Sequence, residues 1–213
     1  HIDGYVQPQD DLTIHQPLDI VENLNVGGWH DAGDFDLRIE SQSGECYILS
    51  KAYEACRPEI DVTSIDQAGH KVEIHQPDGK NDILQQIEHG ALSVVNGYLS
   101  LGRLYRGIIC NNLRQYVLLG DAAATTDGII GNEDDRWVFT EDNPNREMNT
   151  AANLAASARA LRGFNDTLAT HCERIAEEIF ANVTKAGLMG QIQAASELYQ
   201  TTGETHYLDF IIG

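Results

Sequence analysis

The chain has 213 residues, 42% of them hydrophobic, which is enough to bury the core of one domain. It carries 14 Lys and Arg against 33 Asp and Glu, a formal net charge of -19 at pH 7, so DNA and other polyanions would be repelled and a nucleic-acid-binding role is excluded. No apolar run reaches the roughly 18 residues of a membrane span, and the N-terminal "HIDGYVQPQDDL" lacks the basic-then-apolar pattern of a signal peptide. We therefore expect a soluble chain, with any secretion signal upstream of His1.

The first distinctive segment along the chain is "NVGGWHDAGDFDLR", residues 25–38. It is too rich in glycine for a good helix and too interrupted for a good strand. From about residue 44 the apolar spacing becomes helical, and a long polar connection follows at 57–81. The glycine-rich segment therefore precedes the first predicted helix.

A long helix with one buried face is predicted for "NDILQQIEHGALSVVNGYLSLGRLY", behind a "QPDGKN" turn that can cap its start. A second polar connection without regular period spans 119–147. Compact domains rarely keep loops as long as these two connections without using them. We expect both to serve function.

Four more helices are predicted in the remaining sequence. They are the alanine-rich "NTAANLAASARALRGF", which Gly163 ends, "DTLATHCERIAEEIFANV", "GQIQAASELYQTTGE", which Gly203 closes, and "THYLDFIIG". No strand-rich segment of comparable length is present. The pattern predicts a mainly α fold of antiparallel helix pairs joined alternately by short turns and long loops, the way in which a helical barrel is assembled.

The four cysteines, at positions 46, 56, 110 and 172, stand singly, with neither a CxxC pair nor a nearby pair of histidines. This spacing gives a structural zinc site little support and favours small core residues. A helix between Cys46 and Cys56 would separate them by about 15 Å, so a disulfide between them requires another geometry.

The chemistry-bearing part of the sequence is the pair Asp31 and Asp34, three residues apart on a glycine-containing turn. Both carboxylates can point at one small volume and hold one water molecule, which one of them orients while the other takes its proton. Inverting glycoside hydrolases use such a base with a distant acid about 6.5–9.5 Å away. A Ca²⁺ or Mg²⁺ site that includes Asp36 and a simple turn or capping role for Asp31 are the alternatives.

The segment "GGWHDAGDFDLR" resembles the signature of glycoside hydrolase family 9, the inverting cellulases and related β-glucanases built on an all-α (α/α)6 barrel, a toroid of six helical hairpins. The likeness continues through "EIHQPDGKNDILQQIEHG", "LGDAAATTDG", "RWVFTEDNP" and "ASELYQTTGETHYL", and it covers essentially all of the chain. It resembles the subgroup in which many members carry an immunoglobulin-like module ahead of the barrel.

The resemblance implies that Asp34 is the catalytic base and that Asp31 helps to hold the nucleophilic water. His30, next to the motif, is a candidate for substrate binding, with plain packing of Trp29 and His30 as the alternative. Trp137, Tyr98 and Tyr105 could stack on sugar rings, although their positions suit the core equally well. A lone helical histidine such as His89 is more often a packed or surface residue than a catalytic one.

The family's general acid is a glutamate near the end of a catalytic domain about twice as long as this chain, and no counterpart precedes Gly213. We therefore expect residues 1–213 to be the N-terminal half of the barrel, truncated in a helix, with no second domain. Half a toroid would leave apolar helix faces exposed, so this chain alone is expected to be poorly stable and to hydrolyse no β-glucan.

No cofactor is implied. Where some family members have an Asp-Glu pair that binds calcium, this chain has Met189 and Gly190, so no metal is expected there. A calcium site in the acidic loop is the alternative to a solvated loop. The residues it would use are Asp127, Glu133, Asp134 and Asp135.

The sequence thus favours an inverting β-1,4-glucan hydrolase that acts on cellulose, mixed-linkage glucan or xyloglucan. An exo-acting enzyme of the same family, such as a glucosaminidase, and a non-catalytic carbohydrate-binding fragment are the alternatives. The expected partners are the β-glucan, the missing C-terminal half and an upstream immunoglobulin-like module. A polymeric substrate cannot enter cells, which implies a secreted, periplasmic or cell-surface location.

Overall fold

The computed structural model describes residues 5–6, 13–16, 18–24, 26–30, 36–110 and 136–213. Within these residues the chain forms six helices and six short strands. The helices are α1 (Ile39–Cys56), α2 (Asp82–Leu101), α3 (Pro144–Leu161), α4 (Asp166–Asn182), α5 (Leu188–Thr202) and α6 (Thr205–Ile212). The strands are β1 (Tyr5–Val6), β2 (Leu37–Arg38), β3 (Thr63–Asp66), β4 (Lys71–Ile74), β5 (Gly107–Cys110) and β6 (Arg136–Phe139).

Consecutive helices pack in pairs: α1 with α2, α3 with α4, and α5 with α6. The pairs are joined through α3, which packs against both α1 and α5. The mainly α architecture of helical hairpins predicted from the sequence is therefore confirmed. None of the described helices is both long enough and apolar enough to cross a membrane.

Side-chain caps and glycines set the start of α2 and the end of α5 where the sequence predicted them, whereas α2 ends at Leu101, before Gly102 and four residues short of the predicted segment. Asn81 accepts hydrogen bonds from the backbone N–H groups of Ile83 and Leu84, at 3.0 and 3.3 Å, and so begins α2. Gly203 adopts a φ of 74° directly after α5, a left-handed conformation that glycine reaches without steric cost.

Helix α3 forms the centre of the described core. Its alanines are buried on almost every side, and residues 151, 152, 155, 156 and 158 are 0% exposed. Such small side chains let the neighbouring helices approach closely. The alanine-rich sequence thus places α3 in contact with α1, α4 and α5.

An ion cluster ties α3 to the two helices that flank it. The Arg159 guanidinium donates to Glu54 of α1 at 2.8 Å and to Glu197 of α5 at 2.5 Å. Glu197 is only 5% exposed. Burial opposes ionisation of Glu54, but hydrogen bonds from Arg159 and Lys51 outweigh it and lower the pKa of that carboxyl below its usual value.

Helix α1 begins at Ile39, five residues before the predicted start near residue 44. Its buried positions are Ile39, Gln42, Ser43, Cys46 and Ser50. Three of these five residues are polar, so the buried face carries a weak apolar signal. The prediction was wrong at this end because the face is stabilised by hydrogen bonds as well as by apolar contacts.

The two connections predicted to lack regular structure contain strands. Strands β3 and β4 form an antiparallel hairpin within 57–81, and β6 and the start of α3 lie within 119–147. Strands of two to four residues are too short for their alternation to be visible in a sequence. Residues 111–135 lie outside the described part of the chain.

The remaining strands form a sheet in the order β1-β6-β5-β2, where β1 and β6 are parallel and the other pairs antiparallel. Strand β2 leads directly into α1. The backbone N–H of Ile39 donates to the carbonyl of Arg106 at 3.0 Å, so the sheet fixes where α1 begins.

Cys46 and Cys172 are buried in the core, as predicted, whereas Cys56 is exposed at the end of α1, where a core position had been expected. Cys46 and Cys56 lie on the same helix and both are free thiols. Burial raises the pKa of Cys172 to about 12, which keeps this thiol protonated. The side chain of Cys110 lies outside the described set.

Candidate functional site

The predicted catalytic pair, Asp31 and Asp34, falls in residues 31–35, which lie outside the described residues. The segments on both sides are described, 26–30 before the pair and 36–38 after it. Their contacts hold the residues that flank the predicted catalytic pair in sequence.

Gln42 of α1 holds the backbone of Trp29. Its side-chain Oε1 accepts from the Trp29 N–H at 2.7 Å, and its Nε2 donates to the Trp29 carbonyl at 2.7 Å. Gln42 is 1% exposed, so both bonds form away from water. One buried amide thus satisfies both peptide groups of the residue that stands two positions before Asp31.

Gly27 and Gly28 bring the segment against α2. Their φ angles are 69° and 85°, and the N–H of Gly28 donates to the carbonyl of His89 at 2.8 Å. A Cβ at Gly27 would lie 2.2 Å from that same carbonyl oxygen. Glycine is therefore required here both for the left-handed backbone and for the close approach to α2.

Trp29 is a packed residue, as one of the two sequence interpretations held. Its indole N–H donates to Gln86 at 3.1 Å, and its ring meets the His89 ring edge-on with 5.8 Å between centroids. Gly90 supplies the space for the indole, since a Cβ there would lie 2.4 Å from the Trp29 ring and 2.5 Å from the Cys46 sulfur. The indole therefore anchors the segment to α2.

Gly90→Ala is expected to destabilise the protein by about 1–3 kcal/mol, because the added methyl group forces Trp29 or Cys46 to move in a packed core. The measurement is urea unfolding. The matched control is Gly44→Ala on α1, where a Cβ would meet no atom of the described residues within 4 Å and helix propensity favours alanine. Equal stabilities of the two variants would contradict this account of Gly90.

Asp36, two residues after Asp34, is 0% exposed and forms an ion pair with Arg38 at 3.1 Å. A guanidinium at this carboxylate opposes the binding of a second cation, so Asp36 is a poor metal ligand.

Within the described ranges no group of three or more His, Cys, Asp or Glu side chains is placed to hold a metal ion. The four acidic residues proposed for a calcium loop lie in 111–135, outside the described part, and Met189 and Gly190 lie in the first turn of α5.

His30 is exposed and lines a pocket of about 220 Å³ between the glycine segment and the β3–β4 hairpin. The other walls include Asp66, Gln67, His70 and Lys71 of the hairpin and His89 of α2. The pocket is polar, and His30 directly precedes Asp31 of the predicted catalytic pair in sequence. A substrate contact by His30 stays a prediction.

Of the three aromatic residues considered for sugar stacking, Tyr105 belongs to the core. It is 2% exposed and its hydroxyl donates to the carbonyl of Ser93 at 3.1 Å. Tyr98 is half-buried and its hydroxyl donates to Glu178 at 3.2 Å. Trp137 is half-buried in β6. The core interpretation is correct for Tyr105.

The sequence interpretation missed the two glutamines, Gln42 and Gln67, and the supporting role of His89. A polar residue at a buried helix position is the signal that points to Gln42, because such a residue needs a hydrogen-bond partner. His89 was interpreted as a packed or surface residue, and it is half-buried on α2. Its ring nitrogens contact Gly28 and Gln67, two residues far from it in sequence.

The described structure matches solved glycoside hydrolase family 9 proteins. A metagenome-derived family 9 endoglucanase is 22% identical, with a TM-score of 0.73 over 100% of this chain and 39% of its own. A Bacteroides ovatus GH9 protein is 16% identical, with a TM-score of 0.70 over 100% and 41% of the two chains. The endoglucanase of the termite Nasutitermes takasagoensis is 15% identical, with a TM-score of 0.60 over 99% and 50%.

No protein-family model matches the sequence, and no curated protein is significantly similar to it. The chain spans about 39–50% of the length of the three solved structures above. At these identities the likeness establishes the fold. The expected resemblance to family 9, and to part of its (α/α)6 barrel, is confirmed at that level.

Proposed function

We propose that this chain is the N-terminal half of the catalytic domain of a family 9 glycoside hydrolase that cleaves β-1,4 bonds in a β-glucan with inversion. The observation that carries the proposal is the attachment of the "GGWHDAGDFDLR" motif on both sides of its aspartates, by Gln42 and His89 before them and by β2 after them. Supports on both sides suit a segment whose carboxylates must hold one geometry.

In this mechanism Asp34 accepts a proton from a water molecule that Asp31 helps to orient. The water oxygen attacks the anomeric carbon from the face opposite the leaving group, and the glycosidic C–O bond breaks. A glutamic acid from the part of the protein beyond Gly213 protonates the leaving oxygen. The described residues contribute by holding the backbone that carries the base.

The proposal that the rest of the barrel comes from further sequence is supported by the coverage of the solved structures and by exposed apolar side chains. Ile48 of α1 is 67% exposed, Leu188 and Met189 of α5 are 65% and 78% exposed, and Ile212 of α6 is 75% exposed. Residues of this size are more often covered in a finished domain. We propose that the remaining helices of the same catalytic domain cover them.

The polymeric substrate implies action outside the cytoplasm, so we propose a secreted, periplasmic or cell-surface protein. An immunoglobulin-like module upstream of the barrel is the proposed companion domain. Both proposals follow from the family resemblance and the nature of the substrate.

The test is hydrolysis of cello-oligosaccharides by the full-length protein, followed by proton NMR of the newly formed reducing end. We expect the α-anomer to appear first, because attack opposite a β-linked leaving group inverts the configuration. The isolated 213-residue chain is expected to release no reducing sugar. First appearance of the β-anomer, or binding of the oligosaccharides without any turnover, would contradict the proposed mechanism.

A further inference from the structure

The ring of His89 lies between two oxygen atoms from different parts of the chain. Its Nε2 is 2.7 Å from the carbonyl oxygen of Gly28, and its Nδ1 is 3.0 Å from Oε1 of Gln67, which follows β3. Both oxygens are acceptors only, so each ring nitrogen would need a proton to bond its partner. A charged imidazolium satisfies both contacts, and a neutral ring satisfies one.

The surroundings favour the neutral ring. Burial lowers the pKa of His89, and the bond to Gly28 and the charge of Glu88 oppose this effect without outweighing it. In the neutral ring the shorter contact keeps the proton on Nε2, which leaves a lone pair on Nδ1. The other titratable groups at the same pocket are His30, Asp66, His70 and Lys71.

The surroundings of the Gln67 amide also favour a His89 ring with a lone pair on Nδ1. Its Nε2 is buried and has no hydrogen-bond partner among the described residues, while its Oε1 faces the ring. Turning the terminal amide by about 180° places the NH2 group on Nδ1 of His89. That single rotation pairs the buried donor and removes the contact between an oxygen and a lone pair.

We propose that His89 is a positioning residue for the predicted catalytic segment: protonated at Nε2 only, it donates to the Gly28 carbonyl and accepts at Nδ1 from the Gln67 amide. One ring thereby joins the β3–β4 hairpin to the Gly27–Gly28 turn, three residues before Asp31. The catalytic consequence rests on the proposed function. The hydrogen-bond arrangement does not.

The arrangement is tested by 15N NMR of the full-length protein with labelled histidine at pH 7.5, where His89→Asn identifies the resonance. We expect a protonated Nε2 and an unprotonated Nδ1. In Gln67→Glu the added carboxylate should raise the pKa of His89, because it stabilises the imidazolium. A wild-type ring that carries a proton on Nδ1, or an unchanged pKa in Gln67→Glu, would overturn the arrangement.

The positioning role is tested by comparing His89→Gln with His89→Asn in the full-length enzyme. A glutamine amide nitrogen can reach the place of Nε2 and keep the bond to Gly28, whereas an asparagine nitrogen reaches only the place of Nδ1. We expect His89→Asn to lower kcat about tenfold or more with little change in KM, since small displacements of catalytic groups are costly, and His89→Gln to stay within about threefold of wild type.

The matched control is His75→Asn, an exposed histidine directly after β4 that is not among the described residues lining the pocket, and it is expected to leave kcat unchanged. Equal losses of kcat in the two His89 variants, at equal free energies of unfolding, would overturn the positioning role. If the wild-type protein hydrolyses no β-glucan, the proposed function fails, and the NMR measurements still decide the arrangement at His89.

Discussion

Asp34→Asn in the full-length protein is expected to lower kcat on cello-oligosaccharides by about 10²–10⁴, the contribution of a well-placed general base. Asparagine keeps the size of the side chain and cannot accept the proton of the attacking water. Substrate binding should persist, because the base acts on the water. Initial rates of reducing-sugar release measure kcat, and calorimetry with the variant measures binding.

Asp31→Asn should also lower kcat, by a smaller factor, since an amide oxygen can still accept one hydrogen bond from the water. The control is Glu59→Gln, an exposed residue in the connection between α1 and β3, which should leave kcat unchanged. An Asp34→Asn enzyme with wild-type kcat would place the base elsewhere, and the proposed assignment of the two aspartates would be wrong.

Arg159→Met is expected to have the largest effect on stability, about 3 kcal/mol of unfolding free energy, because it removes the guanidinium from the buried Glu197 carboxylate. Among the described residues, Glu197 then keeps only the Tyr47 hydroxyl at 3.1 Å and the Lys51 ammonium at 3.5 Å. Arg159 bonds Glu54 and Glu197 and also donates to the Thr201 hydroxyl at 2.8 Å. Methionine matches much of the volume and none of the charge. Urea unfolding at pH 7 gives the free energy.

The matched control is Arg162→Met, one turn along the chain, where the ion pair with Glu173 joins side chains that are 41% and 28% exposed. A pair this exposed should contribute less than about 1 kcal/mol. Adding Glu197→Gln to Arg159→Met should recover part of the loss, because it removes the buried charge that has lost its guanidinium. Equal losses in Arg159→Met and Arg162→Met would contradict the importance of the buried cluster.

The helices that the sequence predicted best are those whose signals are local. Helix α2 has its Asn81 cap, its apolar spacing and Gly102 at its end within one continuous stretch. Helix α4 likewise begins directly after Asn165, whose side chain accepts from the Leu168 N–H. Such signals need no knowledge of the rest of the chain, so sequence reasoning can find them.

The sheet was not predicted because its information is not local. Strand β1 pairs with β6 more than 100 residues later, and β2 pairs with β5 across the whole α1–α2 hairpin. Each partner is too short to identify alone. Only the folded chain brings the four strands together.

The candidate site also combines local sequence signals with contacts between distant residues. The aspartate motif and its glycines were visible as a sequence pattern, whereas the roles of Gln42, Gln67 and His89 arise only where α1, α2 and the β3–β4 hairpin meet. His89 lies 61 residues from Gly28 and 22 from Gln67, distances at which residue spacing carries no information on contact.

The Gln42 contact has a bearing on how freely the residue at position 30 can vary. Both of its hydrogen bonds are made to main-chain atoms of Trp29, and every amino acid except proline offers the same two atoms. The attachment is therefore indifferent to which side chain follows at position 30. Natural variation or directed evolution can exchange the residue at position 30, which lines the pocket, while Gln42 keeps both hydrogen bonds to the backbone of Trp29.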